Sequence, residues 1–199
     1  MSLIEELKKV LGDQNVLTGT DKERYSSDWL GQYRFEPLCV VRPASTEEVS
    51  KVVRLAGSFQ VNIVPVGGNT GLNGGTHSDD AISISMERMN KICEIRLNSK
   101  IAIVEAGVIL SNLHQLVNEN DLMFPLTFGA RGSATMGGVL STNAGGSNVL
   151  KYGNTRDLVL GVEIVLPSGE IMNLMSELHK DNSGYCLRDL VIGAEGTLG

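Results

Sequence analysis

Twelve of the 23 glycines in this 199-residue chain fall in two short stretches, five in residues 67–75 and seven in residues 129–153. Glycine loses more backbone freedom on folding than any other residue, so neither stretch can be an uninterrupted helix or strand. Each must be a loop or a place where two pieces of backbone come close. The first stretch, Gly67-Gly68-Asn69-Thr70-Gly71-Leu72-Asn73-Gly74-Gly75, follows the apolar run Val61–Val66 and holds no charged residue. Any ligand chemistry there must come from the backbone. Successive glycines at positive φ would turn their N–H groups into one concave nest for a phosphate oxygen, with Asn69 and Thr70 adding side-chain donors.

Two phosphate motifs can be tested against that stretch. Neither G-x-G-x-x-G nor G-x-x-x-x-G-K-[ST] occurs in the chain, which argues against a Rossmann nicotinamide site and a P-loop nucleotidase. The second stretch runs from Gly129 to Gly146 and is again rich in Gly, Ser, Thr and Asn, with Arg131 its one charge. A single phosphate needs only one nest, so two neutral, donor-rich stretches some 60 residues apart suggest an elongated ligand threaded between two lobes.

Composition narrows the partners. A net charge of -6, 42% hydrophobic residues and a mean hydropathy of +0.02 describe a soluble globular chain. No run of Lys or Arg exceeds Lys8-Lys9, so a nucleic-acid partner is not expected, because phosphate contacts need clustered cations. No apolar run is long enough for a membrane span. The opening Met1–Lys9 lacks the pattern of a signal or transit peptide, which points to a cytoplasmic protein. Cys39, Cys93 and Cys186 have no metal-ligand or disulfide spacing and are expected to be buried small hydrophobes.

Hydrophobic periodicity organises the rest. Ser2-Leu3-Ile4-Glu5 is a capping-box pattern ahead of Leu3, Leu7, Val10 and Leu11, predicting an opening amphipathic helix, and a second short helix follows Thr20-Asp21. Leu38–Val41, Val61–Val66 and Ala81–Met86 read as strands, with a helix starting at Ser45 between the first two. Residues 1–34 are a helical lead-in, 35–95 a first lobe and 96–199 a second. In the second lobe, Leu110–Asn120 has helical spacing, Pro167-Ser168-Gly169 joins a β-hairpin, and a last helix covers Cys186–Ile192. The chain then stops in a glycine-rich turn, which suggests a cut from something longer.

Six blocks occur in a recognisable order: Val64–Leu72; Phe124-Pro125-Leu126 with Gly132-Ser133 and Gly137-Gly138; Thr142-Asn143-Ala144-Gly145-Gly146; Tyr152-Gly153; Lys180–Tyr185; and Gly193–Gly199. With them, the chain resembles the FAD-binding domain, PCMH type, of the FAD-linked oxidases of the vanillyl-alcohol oxidase kind. The resemblance implies an α+β fold of two α/β lobes clasping an extended FAD. It implies that Gly67, Gly68, Asn69, Thr70, Gly71 and Leu72 wrap the pyrophosphate, with Pro65 and Val66 also among the cofactor-binding residues. Gly132, Ser133, Gly137, Gly138, Thr142, Asn143, Gly145 and Gly146 would line pyrophosphate, ribitol and the flavin edge, with Glu195 and Gly196 near the adenine and the flavin-supporting side. Thr127 and Val139 depart from the Asp and Asn of some members, which bears on the subfamily.

The implied activity is oxidation of a small D-2-hydroxy acid of the glycolate, D-lactate or D-2-hydroxyglutarate class, by hydride transfer to the flavin. The electron acceptor, a quinone, a flavoprotein or another, is not implied. Some members link flavin covalently through a His of the first loop; Asn69 stands in its place, so non-covalent FAD is expected. The substrate-binding cap of such proteins lies outside this chain, and no catalytic or metal-binding residue is assigned within it. His77, His114, His179, Arg131 and Tyr185 read most simply as structural or solvated. Two alternatives stay open: a reductase fed by NADPH on the same fold, and a nucleotide-binding module without catalysis.

Overall fold

The structure is a computed structural model and describes residues 2–199. Helix α1 (Leu3–Leu11) opens on a full capping box: the Ser2 hydroxyl accepts from the Glu5 N–H, and the Glu5 carboxylate accepts from the Ser2 N–H. Its Leu3, Leu7 and Leu11, spaced at one face of the helix, are buried. After β1 (Val16–Leu17), residues Gly19–Tyr25 wind as a 3-10 helix. Only Tyr25 of that segment is buried, so no apolar face rewards a full α-helix there.

Strand β2 (Cys39–Val41), helix α2 (Thr46–Phe59), strand β3 (Ile63–Val66) and strand β4 (Ile82–Ser85) complete the first layer. The sheet order is β1-β2-β4-β3, with β2, β4 and β3 parallel and β1 antiparallel at one edge. Strand β4 alternates Ile and Ser, yet all four residues are buried. Cys39, Val41, Ile82 and Ile84 face the core under α1 and α2. The opposite face, where Val40 pairs with Ser83 and Val66 with Ser85, is covered in turn by Tyr25. Both faces of a parallel sheet are thus closed, and Ser83 satisfies its hydroxyl on Ser78, 2.9 Å away.

The second layer begins with β5 (Ile92–Arg96) and β6 (Ile101–Val104), an antiparallel hairpin with a bulge between Ile92 and Glu94. A junction between residues 95 and 96 would lie inside this hairpin. Ile92 and Ile95 pack with Ala102 and Val104 on a core formed by α3 (Leu110–Asn118), Leu126 and α4 (Met136–Ser141). Short helices α5 (Val149–Tyr152) and α6 (Thr155–Leu158) lead to the hairpin of β7 (Val162–Val165) and β8 (Ile171–Leu174), and α7 (Leu187–Val191) follows. The β7–β8 turn reaches back to α2, where the buried Ser50 hydroxyl donates to the Gly169 carbonyl at 2.6 Å.

Only one cysteine is buried. Cys39 lies inside β2, whereas Cys93 and Cys186 are exposed, against expectation. Cys93 stands at the β5 bulge, where one residue falls out of the ladder, and Cys186 precedes the short α7. Among the described residues no helix is long and apolar enough to cross a membrane.

Candidate functional site: a cleft walled by two glycine segments

Strand β3 is an edge of the four-stranded sheet, and residues 67–76 leave its end. Among the described residues, no backbone N–H from Gly67 to Thr76 finds an acceptor in the chain. An ordered run of unpaired N–H groups is what an anion can satisfy. The glycines contribute differently than expected, for neither Gly67 nor Gly68 has positive φ; the left-handed positions are Asn69, at φ 49°, and Gly74, at φ 73°. A Cβ at Gly67 would overlap the Thr135 hydroxyl, and one at Gly68 the Ser133 carbonyl oxygen. These two residues are glycine so that the second glycine segment can lie against the first.

That second segment begins with a 3-10 helix at Gly129–Gly132 and continues into α4. Gly137 donates its N–H to the Ala106 carbonyl at 2.7 Å, and an added Cβ would come to 2.9 Å from that of Ala106. The Thr135 hydroxyl is buried between Gly67 and Gly138 and has no hydrogen-bond partner in the chain. Thr142 turns its hydroxyl back to the Gly138 carbonyl at 3.0 Å. Asn143, at φ 45°, accepts from the Arg156 N–H at 2.9 Å, which fixes the end of α4 to the start of α6.

A third piece closes the wall. Glu195, at φ 53°, donates its N–H to the Ser141 carbonyl at 2.9 Å, and its carboxylate accepts from the Asn73 amide at 3.1 Å. Gly196, at φ 77°, sits on the Pro65 ring. The far end of the chain therefore touches both glycine segments.

These walls line part of an open cleft of about 2320 Å³, whose lining also takes in residues of α2, β6 and β7, above the roughly 300–1,000 Å³ typical of a drug-sized ligand. Residues 65–72, Gly137, Gly138, Thr142, Glu195 and Gly196 line it; Gly132, Ser133, Asn143, Gly145 and Gly146 stand outside its lining. Asn69 lines the cleft, but its side-chain amide is engaged elsewhere, donating to the Ser27 carbonyl and accepting from the Thr76 hydroxyl. Thr70 keeps its hydroxyl free. Thr135 was missed by sequence reasoning, though it lies within the Gly132–Gly138 block; Ser27 and Thr76 carried no sequence signal at all.

Of the five titratable residues singled out in the sequence, only His179 lines the cleft. His77 bonds Asp79 at 2.9 Å and stacks on Phe35, with ring centroids 5.3 Å apart. The Glu36 N–H, and after it His77, hold the Asp79 carboxyl below its usual range. His114 bonds the Leu126 carbonyl at 2.9 Å, and Arg131, His179 and Tyr185 are exposed. Among the described residues no group of His, Cys, Asp or Glu could hold a metal ion.

The geometry has clear relatives. Residues 37–175 match the family model described as "FAD binding domain". The chain is 43% identical over 180 residues to D-2-hydroxyglutarate dehydrogenase of Xanthomonas citri pv. viticola, covering 90% of this chain and 38% of that protein. It is 38% identical over 200 residues to the protein of that name from Stutzerimonas stutzeri, covering 100% of this chain and 43% of that protein. The chain thus spans less than half the length of these relatives. Among solved structures, alkyldihydroxyacetonephosphate synthase superposes with a TM-score of 0.86 at 25% identity, over 99% of this chain and 41% of that one. 6-Hydroxy-D-nicotine oxidase from Arthrobacter nicotinovorans gives 0.72 at 25% identity, over 80% of this chain and 35% of that one. Because the matched span takes in both glycine segments and the sheet edge from which the first one springs, the chain belongs to the FAD-binding domain family of the FAD-linked oxidases, and FAD is its cofactor.

Proposed function

We propose that this chain forms the flavin-binding part of a dehydrogenase that oxidises a small D-2-hydroxy acid to the 2-oxo acid, with FAD held non-covalently. One observation carries the reading: among the described residues the N–H groups of residues 67–76 are unpaired, and all of these residues but Gly74 line a large cleft, in a chain whose relatives are named D-2-hydroxyglutarate dehydrogenases.

The residues fit the cofactor. An elongated dinucleotide with a central diphosphate needs anion donors midway along a cleft and neutral, close-fitting walls beside them. The loop supplies donors without a cation, Thr135 brings an unpartnered buried hydroxyl, and Thr70 a free one. Gly138 lines the wall and donates its N–H to no other group of the chain. No histidine lies within residues 65–72 to form a covalent link. When bound, FAD supplies the hydride acceptor, taking two electrons and one hydrogen from the substrate carbon while the hydroxyl proton passes to a base. This chain's own part is to bind and orient that acceptor.

An anaerobic titration tests the reading. Flavin absorbance of the whole dehydrogenase of which this chain is the flavin-binding part should bleach with D-2-hydroxyglutarate, D-lactate or glycolate and stay unchanged with NADPH, whereas this chain alone should show no turnover. Bleaching by NADPH alone would replace the dehydrogenase with a reductase. Acid precipitation should release the yellow chromophore into the supernatant, and colour retained in the pellet would refute non-covalent binding.

A further inference from the structure

Among the described residues no backbone N–H of loop 67–76 is bonded to the chain, so the loop is held by side chains and close contacts. Besides the second glycine segment and Glu195, part of its support comes from the lead-in that precedes the sheet. Residues 26–35 form a small hairpin: the Asp28 N–H donates to the Tyr33 carbonyl at 3.2 Å, the Phe35 N–H to the Ser26 carbonyl at 3.0 Å, and Ser27 pairs with Arg34. Its tip is locked by the buried Asp28 carboxylate, which accepts from the N–H groups of Leu30 at 3.3 Å and Tyr33 at 2.8 Å. An Asp that bonds the backbone N–H groups just ahead of it stiffens a turn locally.

This hairpin meets the loop at two points. The Asn69 side-chain nitrogen donates to the Ser27 carbonyl at 2.8 Å. The Tyr33 ring lies on Gly74, where a Cβ would stand 3.2 Å from two of its carbons. The other end of the Asn69 amide accepts from the Thr76 hydroxyl at 2.8 Å. One side chain therefore ties the entry of the loop to its exit and fastens both to the hairpin. Asn69 does this from left-handed backbone, φ 49°, a region that Asn tolerates better than most residues. A left-handed residue in such a run turns neighbouring N–H groups to a common side.

We propose that the 26–35 hairpin is a clamp that presets the N–H groups of loop 67–76 for the cofactor's pyrophosphate, with Asn69 as its positioning residue; this rests on the FAD reading above. Asn69 acts through the backbone it holds, its amide being turned away to Ser27 and Thr76. A free loop would lose its backbone entropy when the ligand binds, and a loop already held loses little, so the clamp appears as affinity. The lead-in thereby becomes part of the cofactor site.

Three variants of the purified protein test the clamp: Asn69→Gly, which keeps the left-handed backbone and removes both bonds; Thr76→Val, which removes one; and Thr76→Ser, which restores it. The dissociation constants of FAD and of ADP, which carries the diphosphate without the flavin, are measured by calorimetry after stripping the flavin. Thr76→Val should weaken both ligands by about tenfold, the size expected for one lost hydrogen bond, and Asn69→Gly, which loses two, by at least as much. Thr76→Ser should bind within about twofold of the parent protein, a difference well below one lost hydrogen bond. The flavin-free proteins should melt within about 2 °C of one another. Amide exchange over residues 68–76 should quicken in Asn69→Gly before ligand is added. Parent-like affinity of Asn69→Gly and Thr76→Val for both ligands overturns the clamp, as does a Thr76→Ser protein as weak as Thr76→Val. A parent protein that binds neither FAD nor ADP overturns the cofactor reading itself, a different failure.

Discussion

Gly68 and Ser133 meet backbone to backbone: a Cβ on the glycine would fall on the serine's carbonyl oxygen. The first glycine segment is thus shaped as much by what lies beneath it as by what it would hold. Gly68→Ala should force a shift of the Ser133–Ala134 backbone and lower stability by about 1–3 kcal/mol, the usual range for overpacking. Gly71 offers the contrast, since its nearest neighbour to an added Cβ is the Asn73 side chain at 3.7 Å and its φ is not positive. Gly71→Ala should melt at or slightly above the parent temperature. Denaturation curves of the two variants, side by side, check both; a Gly68→Ala protein as stable as Gly71→Ala would show that the two segments do not bear on each other.

The thiols should separate into two classes. Burial in β2 pushes the Cys39 thiol up to about 11, which keeps it protonated and unreactive at neutral pH. Cys93 and Cys186 are exposed. A thiol-exchange reagent at pH 8 should modify two cysteines within minutes and the third only after denaturant is added. Three equally fast reactions would contradict the placement of Cys39.

Glu87 gathers the start of the chain around the end of β4. Its carboxylate accepts from the Tyr25 hydroxyl at 2.8 Å, from Arg24 at 2.8 Å and from Arg42 at 3.1 Å. Burial pushes its pKa up, but the Tyr25 and Arg42 hydrogen bonds and the Arg24 and Arg42 charges outweigh it and leave it below the usual range. A carboxyl lowered in the folded state adds stability that is present above its unfolded pKa and lost as pH falls through the folded one. Glu87→Gln should therefore melt about 2–4 °C below the parent at pH 7, the equivalent of about 1 kcal/mol after allowing for partial exposure. The gap should narrow as the pH is taken below about 4, near the unfolded carboxyl range. A gap that stays constant down to pH 3 would show that the charge contributes nothing.

Ser50 tests how the last hairpin is attached. Its hydroxyl donates to the Gly169 carbonyl, an acceptor otherwise shared only with the Arg54 side chain at 3.3 Å. Ser50→Ala should lower stability by about 1 kcal/mol and speed amide exchange along β8 more than along β4. Equal changes in the two strands would mean that the hairpin does not open separately.

Local chemistry made part of this fold legible. Ser2 and Glu5 announced α1, Leu3, Leu7 and Leu11 gave its buried face, and Pro167-Ser168-Gly169 gave the β7–β8 turn, because each signal is complete within a few residues. The helix start at Ser45 was legible too: Ser45 caps α2 by accepting from the Glu48 N–H, while the Glu48 carboxylate accepts from the Ala44 N–H. What the chain does far from itself was not legible. The alternation of Ile and Ser in β4 does not show that the serine face is covered, as it is where Tyr25 packs with Val40 and Val66 and Ser83 bonds Ser78. In the same way, the composition of residues 67–75 pointed to a glycine nest, whereas Gly67 and Gly68 are required by Thr135 and Ser133, about 66 residues away in the chain. The bulge that exposes Cys93 is a matter of register between two strands and leaves no mark on either one alone.

The position of β4 between β2 and β3 has a consequence for the order in which the protein assembles. Strand β2 has β1 as its other neighbour, but β3 pairs in the sheet with β4, a strand that comes after the glycine loop. Residues 67–76, which lead from β3 toward β4, therefore have a closed path only once β4 is in place. The same closing event that drives Ile82 and Ile84 into the core brings Asn69 and Thr76 within bonding distance. Completion of the sheet thus also sets the first wall of the cofactor cleft, and a chain without β4 would have neither, while the second wall waits for residues 135–142 and 195–196.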